Sequence, residues 1–223
     1  IMLFQFGLSY FKGLVLGGGL CLLGYVLDFT VSAESQDKII KHKSEHFIQA
    51  HKYIIQNLVF ISPFVYALVD NTLLDHTTPL FSTVSIGKYF GVLITQNIGY
   101  FFVHREMHRN RSLYVHHKFH HQFDTIVSPS LGNAVSHTEF IIAYVFPFLV
   151  GAFIFRPNEF SYLAAISTVG FGNLFIHTYE LNHMWWIPGF VSPTKHIKHH
   201  EIRDQHYAAP IFDIDAMYEF VDM

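Results

Sequence analysis

Five apolar stretches dominate the pattern of hydrophobic and polar positions along this chain of 223 residues. They run roughly over residues 13–29, 54–69, 86–103, 138–155 and 160–176, and few charges interrupt them. Each lies near the lower end of the roughly 17–25 residues that a membrane-spanning helix needs. Pro63, inside the second stretch, is tolerated in a membrane helix. The pattern therefore predicts an all-α protein with four or five membrane spans or hairpin helices.

The ends of the stretches carry further signals. The sequence "RPNE", residues 156–159, predicts a tight hairpin between the fourth and fifth stretches, because Pro157 follows the helix stop. The N-terminal apolar run lacks an A-x-A-like cleavage site after it. We therefore expect this run to be a span rather than a signal peptide.

Composition supports a membrane protein. Hydrophobic residues make up 51% of the chain and charged residues only 14%, whereas soluble domains carry about 25% charged residues. The formal net charge of −3 predicts no broad basic surface for nucleic acid. The single cysteine, Cys21, excludes an internal disulfide and a cysteine-based zinc site.

Seventeen histidines are the unusual feature of the composition. If the third, fourth and fifth stretches each cross the membrane, the loop 104–137 and the tail from residue 177 lie on one side. Eleven of the 14 basic residues fall in that loop, that tail and the segment 30–53. The positive-inside rule then predicts that the histidines form a cytoplasmic helical cap. The membrane would be the endoplasmic reticulum in a eukaryote or the inner membrane in a bacterium.

Three histidine clusters carry the candidate chemistry. They are "HREMH" at 104–108, "HKFHH" at 117–121 and "HIKHH" at 196–200. Residues four apart share a helix face, so two imidazoles there can bind one metal ion. Adjacent residues point about 100° apart on a helix, so adjacent histidines serve two ions more readily than one. The clusters thus predict a dimetal site with these candidate ligands: His104, His108, His117, His120, His121, His196, His199 and His200.

Other histidines have weaker patterns. His177 ends the fifth stretch and is well placed to complete the site. His137 is either a ligand or a helix cap, while His183 and His206 are possible further ligands or partners of ligands. His42 and His46 also lie four apart, but they sit among lysines without an apolar wall. We therefore predict a solvated helix face for that pair.

The number and type of ligands restrict the metal. Imidazole suits zinc, copper, iron and nickel, and a structural zinc ion takes four ligands. Eight or more histidines therefore indicate two ions with open positions. The lack of a Glu-x-x-His pair argues against a carboxylate-bridged di-iron bundle. A haem group would need isolated pairs of histidines inside the spans. The histidines of this chain instead form clustered triplets at the ends of the spans.

A metal-binding or metal-transport protein without catalytic activity is the alternative interpretation. A transport path needs polar residues through the spans, and we find only Gln96, Asn97 and Asn173 there. A metal site at the end of an apolar tunnel would favour an enzyme. A polar channel across the spans would favour transport.

The clusters resemble the histidine boxes of the membrane fatty acid hydroxylase/sterol desaturase superfamily. Its pattern, His-x(3,4)-His followed by two His-x-x-His-His boxes, is similar to this chain over roughly residues 86–220. Tyr114 matches the aromatic residue upstream of the middle box, and "SPTKH" at 192–196 matches the lead-in to the last. The segments "HYA" at 206–208 and "DAMYEF" at 215–220 match the family's final segment in position, but they lack its asparagine and glycines.

The resemblance implies a non-haem di-iron monooxygenase. Two iron ions, with zinc as a possible substitute in a purified sample, would be held by histidines, and O2 would be the co-substrate. Electrons would come from a reductase, a ferredoxin or a cytochrome b5-like donor. The substrate would be a bilayer lipid with a fatty acyl, sphingoid, sterol or alkylglycerol group, which is hydroxylated or desaturated. No catalytic residue beyond the metal ligands is expected.

The chain is predicted to form one integrated membrane domain. Within it, residues 1–85 supply N-terminal membrane helices and connecting loops. Residues 86–223 supply the histidine-box catalytic region.

Overall fold

The computed structural model describes residues 2–184 and 186–221. This part of the chain is helical, and its only β structure is a single bridge between Phe190 and Phe212. The α-helices are α1 Met2–Thr30, α2 Ala33–Ile55, α3 Ser62–Thr72, α4 Thr83–Arg109, α5 Arg111–His117, α6 His137–Glu139, α7 Phe146–Phe155, α8 Glu159–Ile176, α9 Pro193–Ile202 and α10 Ile214–Val221. The predicted all-α class is confirmed for these residues.

Two π-helical turns join neighbouring helices into longer rods. Gln56–Ile61 connects α2 to α3, and Phe140–Val145 connects α6 to α7. Each turn is followed at once by a helix with proline in its first turn, Pro63 or Pro147. Proline lacks an N–H, and its ring clashes with the carbonyl one turn earlier. The wider turn accommodates the ring, so the rod continues instead of ending.

Three helical segments in the described residues are long and apolar enough to cross a membrane. They are Leu3–Thr30, Ala33–Thr72 and His137–Phe155. The third and fifth apolar stretches form α4 and α8, where glutamine and asparagine side chains reduce the hydropathy. Large apolar side chains also face outward, as in Phe153, which is 72% exposed. A surface of this kind suits lipid rather than water, which indicates an integral membrane protein.

The hairpin between α7 and α8 forms where the sequence predicts it. Arg156 ends α7 in the left-handed region with φ 43°. Asn158 begins α8 by accepting a hydrogen bond from the Ser161 N–H at 2.9 Å. The hairpin brings the start of α6 and the end of α8 to the same end of the bundle. The contacts of His117 with His104 and Glu139 place the end of α4 there as well.

Short elements between the long helices build a cap over that end. α2 breaks its helical geometry at Lys43, with φ −138° and ψ 36°. The Lys43 ammonium lies 2.8 Å from Asp124 Oδ1 and also contacts the Gln122 carbonyl. The cap segment that follows His121 is thereby attached to α2.

Candidate metal centre

Nine histidines converge into two groups within the described residues. The first group contains His104, His108, His117, His121 and His199. The second contains His120, His177, His196 and His200. In each group, one ring nitrogen of every member lies within 4.8 Å of the others. All members are buried except His108, which is half-buried.

Adjacent histidines separate between the two groups. His120 and His121 fall in different groups, and so do His199 and His200. The groups are neighbours, since the ring centroids of His121 and His200 are 4.8 Å apart. This is the arrangement that the angle between adjacent side chains predicts.

The local structure of the middle box differs from the regular helix we expected. α5 ends at His117, and a 3-10 turn, His120–Gln122, follows two residues later. A 3-10 turn has three residues per turn rather than 3.6, so the box bends at the end of α5. The Nε2 atoms of His117 and His121 still lie 2.9 Å apart. The last box, in contrast, lies entirely on α9.

Hydrogen bonds at the outward ring nitrogen fix the tautomer of several histidines. Four Nδ1 atoms lie 2.7–3.0 Å from backbone carbonyls, pairing His104 with Tyr207, His177 with Asn173, His199 with Gln205 and His200 with Phe123. A carbonyl only accepts, so each of these Nδ1 atoms carries the proton. Each Nε2 therefore presents a lone pair to the centre of its group.

The inward nitrogens are spaced as ligands of one ion would be. Among the eight grouped histidines other than His199, neighbouring Nε2 atoms are 2.9–3.3 Å apart. Lone pairs at this distance repel unless a cation lies between them. Nitrogens about 2.0–2.1 Å from one ion, at angles between a right angle and the tetrahedral angle, are about 2.9–3.4 Å apart. Both donor sets therefore fit a metal ion.

Burial keeps the imidazoles in the form that binds metal. It lowers the pKa of His117, His199 and His200 well below the ordinary histidine value. These side chains are consequently neutral near pH 7, and a neutral imidazole is the form that coordinates metal. Neither group contains a carboxylate among the described residues, so the ligand set is all nitrogen.

The remaining candidate histidines lie outside both groups. His137 Nδ1 is 2.8 Å from Asn57 Oδ1, which ties the start of α6 to the turn after α2. His183 is exposed, and its backbone N–H donates to Thr194 Oγ1. His206 is half-buried with φ 60°. On α2, His42 is exposed and His46 is half-buried against Phe119, and neither belongs to a metal group.

Glu139 is a site residue that the sequence analysis did not single out. Its Oε1 lies 2.7 Å from Nδ1 of His117, and both side chains are fully buried. A signal was available, because Ser136 and Glu139 have the Ser-x-x-Glu spacing of a helix start. Ser136 Oγ does accept the Glu139 N–H, at 3.2 Å. An acidic residue in the first turn of an apolar span is itself a functional signal.

A narrow cavity approaches the second histidine group from within the bundle. Its volume is about 90 Å³, and side chains of α1, α3, α7 and α8 supply most of its lining. Most of the lining is apolar, but Asn133 and Asn173 also line it. The Asn173 carbonyl accepts from His177 Nδ1 at 2.7 Å. One end of the cavity therefore lies one helical turn from a candidate ligand.

Comparison with known proteins gives one match. The family model described as fatty acid hydroxylase matches residues 89–218, a range that includes all nine grouped histidines and Glu139. The searches of curated proteins and of solved structures returned no match.

Proposed function

The chain belongs to the fatty acid hydroxylase family, within the membrane fatty acid hydroxylase/sterol desaturase superfamily, and from this premise we propose that it is an O2-dependent membrane lipid hydroxylase. Membership of the family implies an oxidoreductase. The observation that carries the proposal is a pair of neighbouring all-histidine groups, one of which includes His177, a helical turn from Asn173 in the wall of a mostly apolar cavity. An enzyme that oxidises hydrocarbon needs its metal where a lipid chain can reach it.

We assign one iron ion to the group of five histidines and one to the group of four. Bound there, the metal ions supply the activation of O2 that oxidation of an unactivated C–H bond requires. Zinc is expected as a substitute in purified samples, because it binds most nitrogen sites more tightly than iron(II).

The side chains around the ligands have positioning roles in this proposal. Glu139 and the four carbonyls that accept from Nδ1 hold five of the nine imidazoles in one orientation and tautomer, those of His104, His117, His177, His199 and His200. Burial of the rings excludes bulk water. The apolar cavity aligns a hydrocarbon chain, and Asn173 connects the cavity wall to His177 through its carbonyl.

The overall reaction defines the partners. In a monooxygenation, one oxygen atom of O2 enters the C–H bond and the other leaves as water, which consumes two electrons and two protons. We therefore propose an external donor, either a reductase, a ferredoxin or a cytochrome b5-like protein. The substrate would come from the bilayer, and the histidine groups would face the cytoplasm, at the endoplasmic reticulum or a bacterial inner membrane.

The contacts of Asn97 and Asn173, two of the three amides in α4 and α8, argue against metal transport. Asn97 Oδ1 accepts from the backbone N–H groups of Ile211 and Phe212, each at 3.2 Å. Asn173 Nδ2 donates to the Gly132 carbonyl at 3.0 Å. These amides hold neighbouring backbone segments, whereas an ion path would need them to face an open channel.

Lipid mass spectrometry tests the proposal. The protein is expressed with its metal, cells are grown under ¹⁸O2, and their lipids are compared with those of cells that express His199→Ala. We expect new lipid species that carry one ¹⁸O atom only with the unmodified protein. Two bound metal ions without any oxygenated lipid, in the presence of a competent electron donor, would instead support a binding or transport role.

A further inference from the structure

A groove on the outer surface of the bundle runs alongside the internal cavity. It lies between α1 and α8 and has a volume of about 620 Å³. Phe11 and Val15 line it and are 60% and 59% exposed, so it opens toward the lipid. Leu16 and Leu20 line both the groove and the cavity. These two side chains therefore form part of the wall between the membrane and the interior.

The side chain of Leu20 contacts α8 at Gly170. A Cβ added at Gly170 would lie 2.6 Å from Leu20 Cδ1, so the leucine occupies the space that the glycine leaves. Gly170 also lines the cavity. The end of a flexible side chain, and not backbone, fills this gap.

The polar groups of the groove are satisfied within the protein. Lys12 lines the groove, and its ammonium lies 2.6 Å from Glu159 Oε1. The Ser167 hydroxyl donates to the Leu163 carbonyl at 2.8 Å. The rest of the lining is apolar. The groove thus offers a hydrocarbon surface, and it suits an acyl chain better than a polar headgroup.

We propose that this groove is a lateral portal through which a single acyl chain enters the cavity, with Leu16 and Leu20 as its gate. The inference rests on the proposed function and adds a route and a substrate shape to it. The cavity of about 90 Å³ is smaller than the engineered cavity of about 150 Å³ that holds benzene. It therefore takes only the end of a linear chain, a few methylene groups, and excludes the fused rings of a sterol.

Two adjacent glycines provide a matched pair of variants. Gly19 lines the groove, and a Cβ added there meets no atom within 4 Å. Gly18 has the same free space but does not line the groove. Gly19→Phe is therefore expected to fill the portal, while Gly18→Phe adds the same side chain to the same helix beside it. Equal metal content in the two variants would show that both fold.

The probe is a long-chain fatty acid with a diazirine near the end of its chain, incorporated in phosphatidylcholine vesicles that contain the protein. After illumination, mass spectrometry locates the labelled residues. We expect label on cavity residues such as Ile166 in the unmodified protein and in Gly18→Phe. In Gly19→Phe the label on the cavity residues should fall about tenfold. This is the loss expected if about two methylene groups of the chain no longer reach the cavity. In Leu20→Ala the cavity residues should be labelled faster, because one of the two gating side chains is missing.

Equal cavity labelling in Gly19→Phe and Gly18→Phe would overturn the portal, and so would an unlabelled cavity in the unmodified protein. The labelling needs neither O2 nor turnover, so it is independent of the proposed function. If labelling depends on Gly19 but no oxygenated lipid forms, the portal stands and the hydroxylase proposal fails. If oxygenated lipid forms equally fast in both variants, the hydroxylase stands and the portal is wrong.

Discussion

The partner of the outward ring nitrogen differs from one histidine to another. Four of the five partners are backbone carbonyls, which no side-chain substitution removes. His117 instead faces the carboxyl of Glu139, at 2.7 Å and fully buried. A carboxylate beside Nδ1 makes the imidazole a stronger ligand and fixes its orientation. Among the contacts at Nδ1, the one with Glu139 is therefore the one that a side-chain substitution removes.

Glu139→Gln should weaken metal binding by about 10–100-fold, the usual effect of losing such a partner. The amide keeps the shape of the side chain and an acceptor oxygen, but it cannot take up a negative charge. Titration with a competing chelator would measure the change. Glu106→Gln is the matched control, because Glu106 lies on α4 between His104 and His108 and its side chain is 54% exposed. Equal affinities in the two variants would contradict this role for Glu139.

His120→Ala and His199→Ala should each abolish lipid oxidation and lower the metal content, because no other side chain is available to replace the lost ligand. Metal binding also contributes to folding in such sites, so expression must be compared first. His42→Ala, at an exposed position on α2, should retain both metal and activity. If His42→Ala loses as much metal as His120→Ala, the division of histidines into grouped and solvated ones is wrong.

Sequence spacing singled out the eight box histidines, and the angle between adjacent side chains predicted that neighbours in a box serve different ions. Neither pattern predicted the hydrogen-bond partners of these histidines. The Tyr207 carbonyl that accepts from His104 lies 103 residues further along the chain. A backbone carbonyl carries no residue-type signal, so only the folded structure identifies such a partner.

Glycines set the distance between α1 and the rod formed by α2 and α3. A Cβ added at Gly17 would lie 2.0 Å from the Leu58 carbonyl oxygen, and one added at Gly13 would lie 2.8 Å from Pro63 Cα. Small residues at a helix interface allow the backbones of membrane helices to approach closely. The three glycines of the Gly17-Gly18-Gly19 run thus have different surroundings, because each residue faces a different direction.

Gly17→Ala and Gly18→Ala should change stability in opposite directions. At Gly17 the methyl group meets backbone, and overpacking of this kind costs about 1–3 kcal/mol. At Gly18 nothing lies within 4 Å, and alanine favours a helix over glycine by about 0.5–1 kcal/mol. Thermal unfolding in detergent would measure both variants. A lower midpoint for Gly18→Ala than for Gly17→Ala would contradict the close approach.

Elements with a local signal were predicted, and elements that depend on distant contacts were not. The apolar stretches and the hairpin at Arg156 follow from hydropathy and from proline. The bend after His117 and the break at Lys43 have no such pattern. Lys43 reaches Asp124 across 81 positions of sequence, and the cap that makes this contact exists only in the folded chain.

The basic residues are divided unequally between the two ends of the whole molecule. The segment 30–53, the loop 104–137 and the tail from residue 177 hold eleven of the 14. Of the others, Lys12 is paired with Glu159 at 2.6 Å, and Lys88 with Asp75 at 2.8 Å. Arg156 lies in the hairpin loop and donates to the Thr72 carbonyl at 3.3 Å. Positive charge near the membrane ends of helices keeps a segment in the cytoplasm.

The histidine end should therefore be cytoplasmic, with loops 70–85 and 156–159 on the opposite side. The test uses single cysteines in a Cys21→Ala background, at Leu80→Cys in the first of these loops and at Lys118→Cys within the middle box; both positions are exposed. In intact bacterial spheroplasts, a membrane-impermeant maleimide should label Leu80→Cys at once and Lys118→Cys only after permeabilisation, because the bilayer separates the reagent from the cytoplasmic cap. Labelling of Lys118→Cys before permeabilisation, with Leu80→Cys protected, would show the opposite topology. The metal centre would then lie outside the cell, where no cytoplasmic electron donor reaches it.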